Sequence, residues 1–424
     1  MRVTADIPVD GDALRSDLER TAQFGAIDCE DGIGRTVLPG TPANARARSY
    51  LVDRMVAAGL EVRVDAVGNI AGRWTPPSCD PDAAPVAAGS HLDSVPEGGI
   101  FDGPLGVYAA LESVRAIAAS DLAVDRPVEV VSFTGEEGTR FADGVLGSSV
   151  AAGNRSVDDA LALSDGEVTL EAALDDIGFR GDGRFDASEW DAWLELHVEQ
   201  SGTLERADCP VGVVDSITGT TRCRVTIEGE ADHAGTTAMA DRTDALAAAS
   251  ELVLALESAA TEIAATDSES AVATVGSLSV EPGATNVVPG HAELSVDIRD
   301  VDPASIERLA DTLEATLTDL REDRGVAVEC ERPYDIPPRP MADRVHGALR
   351  DATHRLDVAA PSLHSGAGHD TMEVADATDA GLLFARSRGG HSHSPLEHTD
   401  WRDCTLATRV LATALADLAG ATGA

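Results

Sequence analysis

Apolar residues along this chain follow two periods, and the switching between them is its first legible feature. From residue 44 the segment NARARSYLVDRMVAAG repeats its apolar positions every three or four residues, as a helix does, and LEVRVDAVGNIAGRW (60–74) then reads as a strand. A Pro/Asp-rich break, PPSCDPDAAP, marks a surface loop. After it come the apolar run PVAAGSHLDSV, a Gly-rich turn, the helical GPLGVYAALESVRAIAAS and a second apolar run, RPVEVVSFTGEEG. Continuous apolar strands separated by helices predict an α/β domain whose mainly parallel sheet is covered on both faces.

The pattern changes over residues 213–327. A strand (TTRCRVTIEGE) precedes the helix DRTDALAAASELVLALESAA, two strands (AVATVGSLSV and HAELSVDIRD), a helix (PASIERLADTLEATLTDLRED) and the strand VAVECER. That order, βαββαβ, is the split, ferredoxin-like arrangement. The α/β pattern resumes with GLLFARSRGG and a final helix, DCTLATRVLATALADLAG. We expect a catalytic domain made of residues 1–212 and 328–424, interrupted by an inserted domain over 213–327.

Composition narrows the chemistry. Lys plus Arg number 32 against 74 Asp plus Glu, a formal net charge of -42, and every one of those cations is arginine. So negative a field repels phosphate backbones and anionic lipid heads, which argues against nucleic acid or membrane partners. The carboxylates are dispersed between apolar periods, as expected of a folded surface kept soluble in high salt, and the expectation is a halophilic source. Without lysine, Schiff-base catalysis, pyridoxal phosphate anchoring and a phosphate-loop lysine all drop out. Six cysteines (Cys29, Cys79, Cys209, Cys223, Cys330, Cys404) form no Cys-x-x-Cys pair, so neither a thiolate zinc site nor a disulfide scaffold is expected. No apolar run approaches the roughly 18 residues of a membrane helix, and a basic-then-apolar leader is missing, so the expected location is cytoplasmic.

Four segments carry candidate chemistry. In AAGSHLDSVPEGGIFDG an apolar run ends in His91, with Asp93 two residues on and Asp102 on the Gly-rich turn. If the strand continues, Asp93 shares a side with His91 and can hold the second nitrogen of a metal-bound imidazole. SFTGEEGTRF runs a buried strand into Glu136 and Glu137, whose side chains point apart on extended backbone, so one can bind a metal while the other faces a water. LELHVEQSG alternates up to His197, then Glu199 and Gln200. RGGHSHSPLEHTD crowds His391, His393 and His398 on a turn after the strand LLFAR. Imidazoles and carboxylates gathered at strand ends suit borderline metals, and a carboxylate bridging two ions defines a dinuclear hydrolytic site.

Together GSHLDSV with FDGPLGV, TGEEGTRF, ELHVEQSG, ADHAGTTAM, the segment from Asn286 to Arg299, SGAGHD and GGHSHSPLE resemble the amidase, hydantoinase and carbamoylase family of dinuclear metallohydrolases, within the wider M20 superfamily. The likeness runs in order from about residue 30 to 415. It implies that His91 and His197 bind one divalent ion and Glu137 and His393 the other, that Asp102 bridges, that Glu136 is the general base and that Asp93 orients His91. Zinc is the expected metal, with manganese, cobalt and nickel compatible. The resemblance also implies that the inserted domain serves as lid and dimerisation domain of a homodimer. There His233 would steady the oxyanion, and Asn286 and Arg299 would hold the carboxylate of a small substrate, to which Gln200, outside that domain, would add an amide contact. The plainer alternative for Arg299, in so acidic a chain, is a surface ion pair. The implied activity is hydrolysis of an amide or ureido C–N bond in an N-carbamoyl-L-amino acid, ureidopropionate or allantoate; a dinuclear aminoacylase or dipeptidase is the alternative.

Two positions depart from the family pattern. Ser201 stands where Gly is expected after Gln200, and His391 adds a competing ligand before His393. His364 and His369, in LHSGAGHD, lie near the expected site without an assigned role.

Overall fold

The computed structural model describes residues 7–142 and 144–423. The chain divides into two compact units, a larger one of residues up to Asp215 with Met341–Leu363 and Ala367–Ala424, and a smaller one of Ser216–Pro340 with His364–Gly366.

At the centre of the larger unit four strands run parallel in the order Ala380–Ala385, Ala192–Val198, Val86–His91 and Val128–Phe133. All four are buried along their whole length, as strands covered on both faces must be. Antiparallel strands flank this core: Val211–Ile217 beside Ala380–Ala385, and Ile70–Trp74 beside Val128–Phe133. The sheet is therefore mixed, with a parallel centre. One face packs against the helices Pro104–Ala119, Asp343–Arg355 and Trp401–Leu418, with Gly11–Thr21 packed on the first and last of these, in a single apolar cluster. The other carries a smaller cluster in which Phe133, Trp190 and Trp193 stack within 5.2 to 6.3 Å.

The segment 60–74, expected as one strand, is a hairpin. Glu61–Val64 and Ile70–Trp74 pair antiparallel, and the reversal is made by Asp65, whose carboxylate accepts from the backbone N–H groups of Val67 and Asn69. An Asp that accepts from the amides just ahead of it closes a turn that apolar periodicity does not register.

In the smaller unit Gly219–Glu228, Val272–Glu281, His291–Asp300 and Ala327–Ile336 form an antiparallel sheet, with the third strand between the second and first and the fourth outside the first. Helices Ala245–Thr266 and Pro303–Arg324, capped by Asp244 and Asp302, cover one face. The expected boundary at 327 falls at the start of the last strand; because Ala327–Ile336 pairs with Gly219–Glu228 within this sheet, the unit extends to Pro340. Among the described residues no helix is long and apolar enough to cross a membrane.

Candidate metal centre

The four parallel strands end at one edge of the sheet, and open α/β sheets place ligands beyond the carboxyl ends of their strands. His91 is the last residue of its strand and His197 the last but one of its own. Glu136 and Glu137 follow the strand ending at Phe133, and His393 lies on the loop after Ala385.

These side chains meet at Asp102, on the turn before helix Pro104–Ala119. Its Oδ1 lies 3.1 Å from His197 Nε2 and 3.5 Å from His91 Nε2, and its Oδ2 lies 3.7 Å from His393 Nε2. On the far side Glu137 Oε2 stands 3.1 Å from His393 Nε2. Two donor sets result, His91 with Asp102 and His197, and Asp102 with Glu137 and His393; within each, the donor atoms lie within 4.8 Å of one another. The approach of the turn depends on Gly103, where φ is +79° and a Cβ would lie 2.5 Å from the His91 ring.

Hydrogen bonding selects the nitrogen that each buried imidazole offers. His91 Nδ1 lies 3.2 Å from the carbonyl oxygen of Asp93, and His197 Nδ1 lies 3.0 Å from that of Val198. A carbonyl only accepts, so Nδ1 carries the proton and Nε2 faces Asp102. His91 Nε2 is buried without a hydrogen-bond partner. A buried imidazole nitrogen held among carboxylates, with its other nitrogen anchored to a carbonyl, fits a borderline divalent cation. The electrostatics agree. Burial alone would depress His91, yet Glu136, Asp102 and Asp93 raise it well above the usual imidazole range. Burial likewise opposes a charged His197, but Asp102 holds it up to about 9. Asp102 itself, despite burial, is pulled well below the usual carboxylate range by His197 and His91.

Glu136 Oε2 lies 3.6 Å from His91 Nε2 but belongs to neither donor set. Burial first, and then Glu137 and Asp370, push its carboxyl well above the ordinary range against the pull of His91. Asp93 lies beyond the end of its strand, so it meets His91 differently from the expectation of a shared strand face. Its backbone carbonyl is nearer to Nδ1 than its carboxylate, which stands 3.7 Å away and accepts from the N–H groups of Gly135 and Glu137. Asp93 thereby ties the His91 loop to the loop bearing both glutamates. Gln200, expected to face substrate, donates from Nε2 to Asp102 Oδ2 at 2.8 Å. Gln200 and His393 both adopt left-handed backbone, with φ of 58° and 53°, a conformation uncommon outside glycine and found where a site overrules local preference. Ser201 fits where glycine was expected: its hydroxyl donates to Glu199 Oε1 at 2.6 Å, and the same oxygen accepts from the N–H groups of Thr203 and Leu204.

Several residues escaped the sequence reading. Ser392 donates to Asp102 Oδ2 at 3.0 Å. Glu195 forms a third cluster with His197 and His369, but its carboxylate already accepts from Ser90 Oγ and from both the N–H and hydroxyl of Thr371. Glu195 precedes His197 by two on the same strand, so period-two alternation could have flagged it. His369 packs edge-on against the His197 ring, with centroids 4.5 Å apart, and burial then His197 hold it well below the usual imidazole range. His391 and His398 join none of these clusters among the described residues. His364 belongs to the smaller unit.

In the smaller unit, His233 and Asn286 lie side by side, the carbonyl of Asn286 accepting from Ala234 N–H beside the paired residues His233 and Val287. His233 reverses the pattern of His91 and His197. Its Nδ1 accepts from the N–H groups of Gly235 (3.0 Å) and Thr236 (3.1 Å), so its proton sits on the exposed Nε2. Arg299 is half-buried: Nε and Nη2 fork onto Asp297 at 2.7 and 3.2 Å, and Nη1 donates to the Gly366 carbonyl.

Comparison with known proteins places this geometry in a family. Residues 87–417 match Peptidase family M20/M25/M40. The N-carbamoyl-L-amino-acid amidohydrolase of Paenarthrobacter aurescens is 37% identical over 405 residues, which cover 94% of this chain and 95% of that protein. Allantoate deiminase 1 of Glycine max is 33% identical, covering 89% and 84% of the two chains. The crystal structure of an amidase of the hydantoinase/carbamoylase family from Burkholderia multivorans aligns with a TM-score of 0.90 at 32% identity, over 97% of this chain and 98% of that one. Divalent metal use is a property of this family, and the clustered histidines and carboxylates suit it. The chain belongs to the M20/M25/M40 peptidase family, among its hydantoinase/carbamoylase-type amidases.

Proposed function

We propose that this chain is a dinuclear amidohydrolase that cleaves an amide or ureido C–N bond in a small carboxylate substrate, an N-carbamoyl-L-amino acid, ureidopropionate or allantoate, with release of ammonia. The observation that carries the reading is the Asp102 carboxylate shared by two donor sets, His91 with His197 and Glu137 with His393. Relatives named N-carbamoyl-L-amino-acid amidohydrolase and allantoate deiminase support the substrate class.

Held by these residues, two divalent ions, zinc in the first place with manganese, cobalt and nickel compatible, would polarise the scissile carbonyl and acidify the attacking water. Glu136 is the general base, taking a proton from that water and returning it to the departing nitrogen. Its buried, raised carboxyl suits a group that must both accept and give a proton. Asp93 fixes His91 and the Glu136–Glu137 loop, and Gln200 steadies the shared carboxylate. His233, with Nε2–H outward, can donate to a developing oxyanion without a change of tautomer. Asn286 and Arg299 are assigned to the substrate carboxylate; Arg299 would use the N–H groups left over from Asp297.

The chain acts as a homodimer in this reading, with the smaller unit as its dimerisation domain. Leu254, Val272 and Leu278 of that unit are 62%, 49% and 42% exposed, large apolar side chains that a partner could cover. Six free cysteines suit a reducing cytoplasm, and the dispersed negative charge suits a halophile.

The test is ammonia release in high salt by zinc- or manganese-loaded protein, offered allantoate, N-carbamoyl α-amino acids, N-carbamoyl β-alanine and N-acetyl amino acids. Ammonia from at least one ureido compound is expected. Cleavage of only the acetyl compounds, measured as free amine, would move the chain to the aminoacylase branch.

A further inference from the structure

The shared carboxylate of Asp102 can serve two donor sets only if its turn is held in place; residues 95–103 (VPEGGIFDG) contain three glycines, and their apolar anchorage is Ile100 and Phe101, buried in the core. Two buried polar groups outside both donor sets add to that hold. Glu397, 4% exposed, accepts through Oε1 from the N–H groups of both Phe101 (2.8 Å) and Asp102 (2.9 Å). It stands four residues after His393, so one carboxyl group joins the loop of His393 to the turn of Asp102. Room for it exists because residue 99 is glycine: a Cβ there would come within 2.4 Å of Glu397 Cδ and Oε1. From the other side, the fully buried Arg35 donates to the carbonyls of Leu92 (3.0 Å), Asp93 (3.3 Å) and Gly99 (3.3 Å), and its own N–H bonds Gly98. Arg35 thereby links the His91 loop to the same turn.

We propose that Glu397 is a positioning residue for the dinuclear centre, fixing the distance between the two donor sets by tying the backbone of Asp102 to the His393 loop, while Arg35 braces the turn against the His91 loop. The proposal rests on the dinuclear reading given above. Buried hydrogen-bond partners of ligand-bearing segments commonly contribute about 10- to 100-fold in metal affinity.

Manganese(II) is the probe, with affinity measured by chelator competition and ion pairing by the exchange-coupled electron paramagnetic resonance signal of two adjacent ions. Wild-type protein that takes up no coupled pair would overturn the dinuclear reading itself. With coupling present in wild type, Glu397→Ala is expected to weaken manganese binding by about 10- to 100-fold and to alter or lose the coupling. Glu397→Gln, whose amide oxygen still accepts from both N–H groups, is expected to retain the coupled pair. Gly99→Ala reaches the same contact from the opposite side and is expected to reproduce the alanine result in a chain that keeps Glu397. Measurements are made where the circular dichroism of each metal-free variant equals that of wild type, because a merely structural role lowers the unfolding temperature without changing the coupling. Wild-type affinity and coupling in Glu397→Ala overturn the proposal; where that variant does not fold, the same result in Gly99→Ala does.

Discussion

Glu136 and Glu137 are adjacent in sequence and serve opposite sides of the centre: Glu137 Oε2 lies 3.1 Å from His393 Nε2, whereas Glu136 Oε2 lies 3.6 Å from His91 Nε2 and outside both donor sets. In the proposed mechanism Glu137 holds an ion and Glu136 moves a proton. Glu136→Gln keeps the shape and removes the base. We expect kcat to fall by about 10²- to 10⁴-fold with two metal equivalents retained by elemental analysis. Unchanged turnover would remove Glu136 from the mechanism.

In the proposed centre, metal uptake is coupled to pH through the imidazoles. Burial works against a charged His197, but Asp102 holds it up to about 9, and Glu137 raises His393. At pH 7.5, below that value, His197 carries a proton on both nitrogens, and an incoming cation must displace the one on Nε2. Binding therefore releases protons; affinity rises with pH until about 9 and falls as the solution is acidified. Calorimetric titration of the metal-free protein with zinc in two buffers of different ionisation enthalpy measures this release. Identical heats in the two buffers would contradict the assignment of His197.

Arg299 spends Nε and Nη2 on Asp297 and one N–H of Nη1 on the Gly366 carbonyl, and the proposed substrate carboxylate uses the N–H groups that remain. A charge-assisted hydrogen bond contributes roughly 1.5 to 3 kcal/mol, so Arg299→Ala should raise KM by about 10- to 100-fold while metal content stays at the wild-type level. Arg299→Lys should recover little, because an ammonium group cannot present two parallel donors. Steady-state kinetics on whichever ureido compound is turned over decides this; an unaltered KM would return Arg299 to a simple surface ion pair.

The formal charge of -42 carries a prediction for solution behaviour. Repulsion among 74 acidic side chains opposes compaction and is screened by salt. The unfolding midpoint should climb steadily as potassium chloride is raised from 0.1 to 3 M. A midpoint insensitive to salt over that range would count against a halophilic source.

The parts of this molecule legible in its sequence are those where apolar runs stop at reactive side chains. His91, Glu136 and Glu137 close or follow apolar runs and His197 an alternating one, and the fold gathers them because parallel strands all end on one edge. Less legible was whatever depends on backbone bonding between distant segments. The 61–74 hairpin turns on the capping of Asp65, and the end of the smaller unit at Pro340 depends on pairing between Ala327–Ile336 and Gly219–Glu228. Glu397 and Arg35 were invisible for the same reason: their partners are N–H and carbonyl groups, which every residue type supplies. The left-handed backbone of Gln200 and His393 likewise has no compositional signature, since neither is the glycine or asparagine such positions favour.

Residues 192–198, which carry His197, lie against residues 380–385, with His197 opposite Phe384. At about 5 to 20 residues per second, the ribosome completes that second strand on the order of ten seconds or more after the first. Over that interval the nascent chain offers an unpaired strand edge, the kind of surface that recruits other chains. The centre of the sheet is thus closed last, and in the proposed dinuclear reading metal capture is a late step of synthesis. Any product truncated before residue 380 leaves the first donor set without its neighbouring strand and the second without His393.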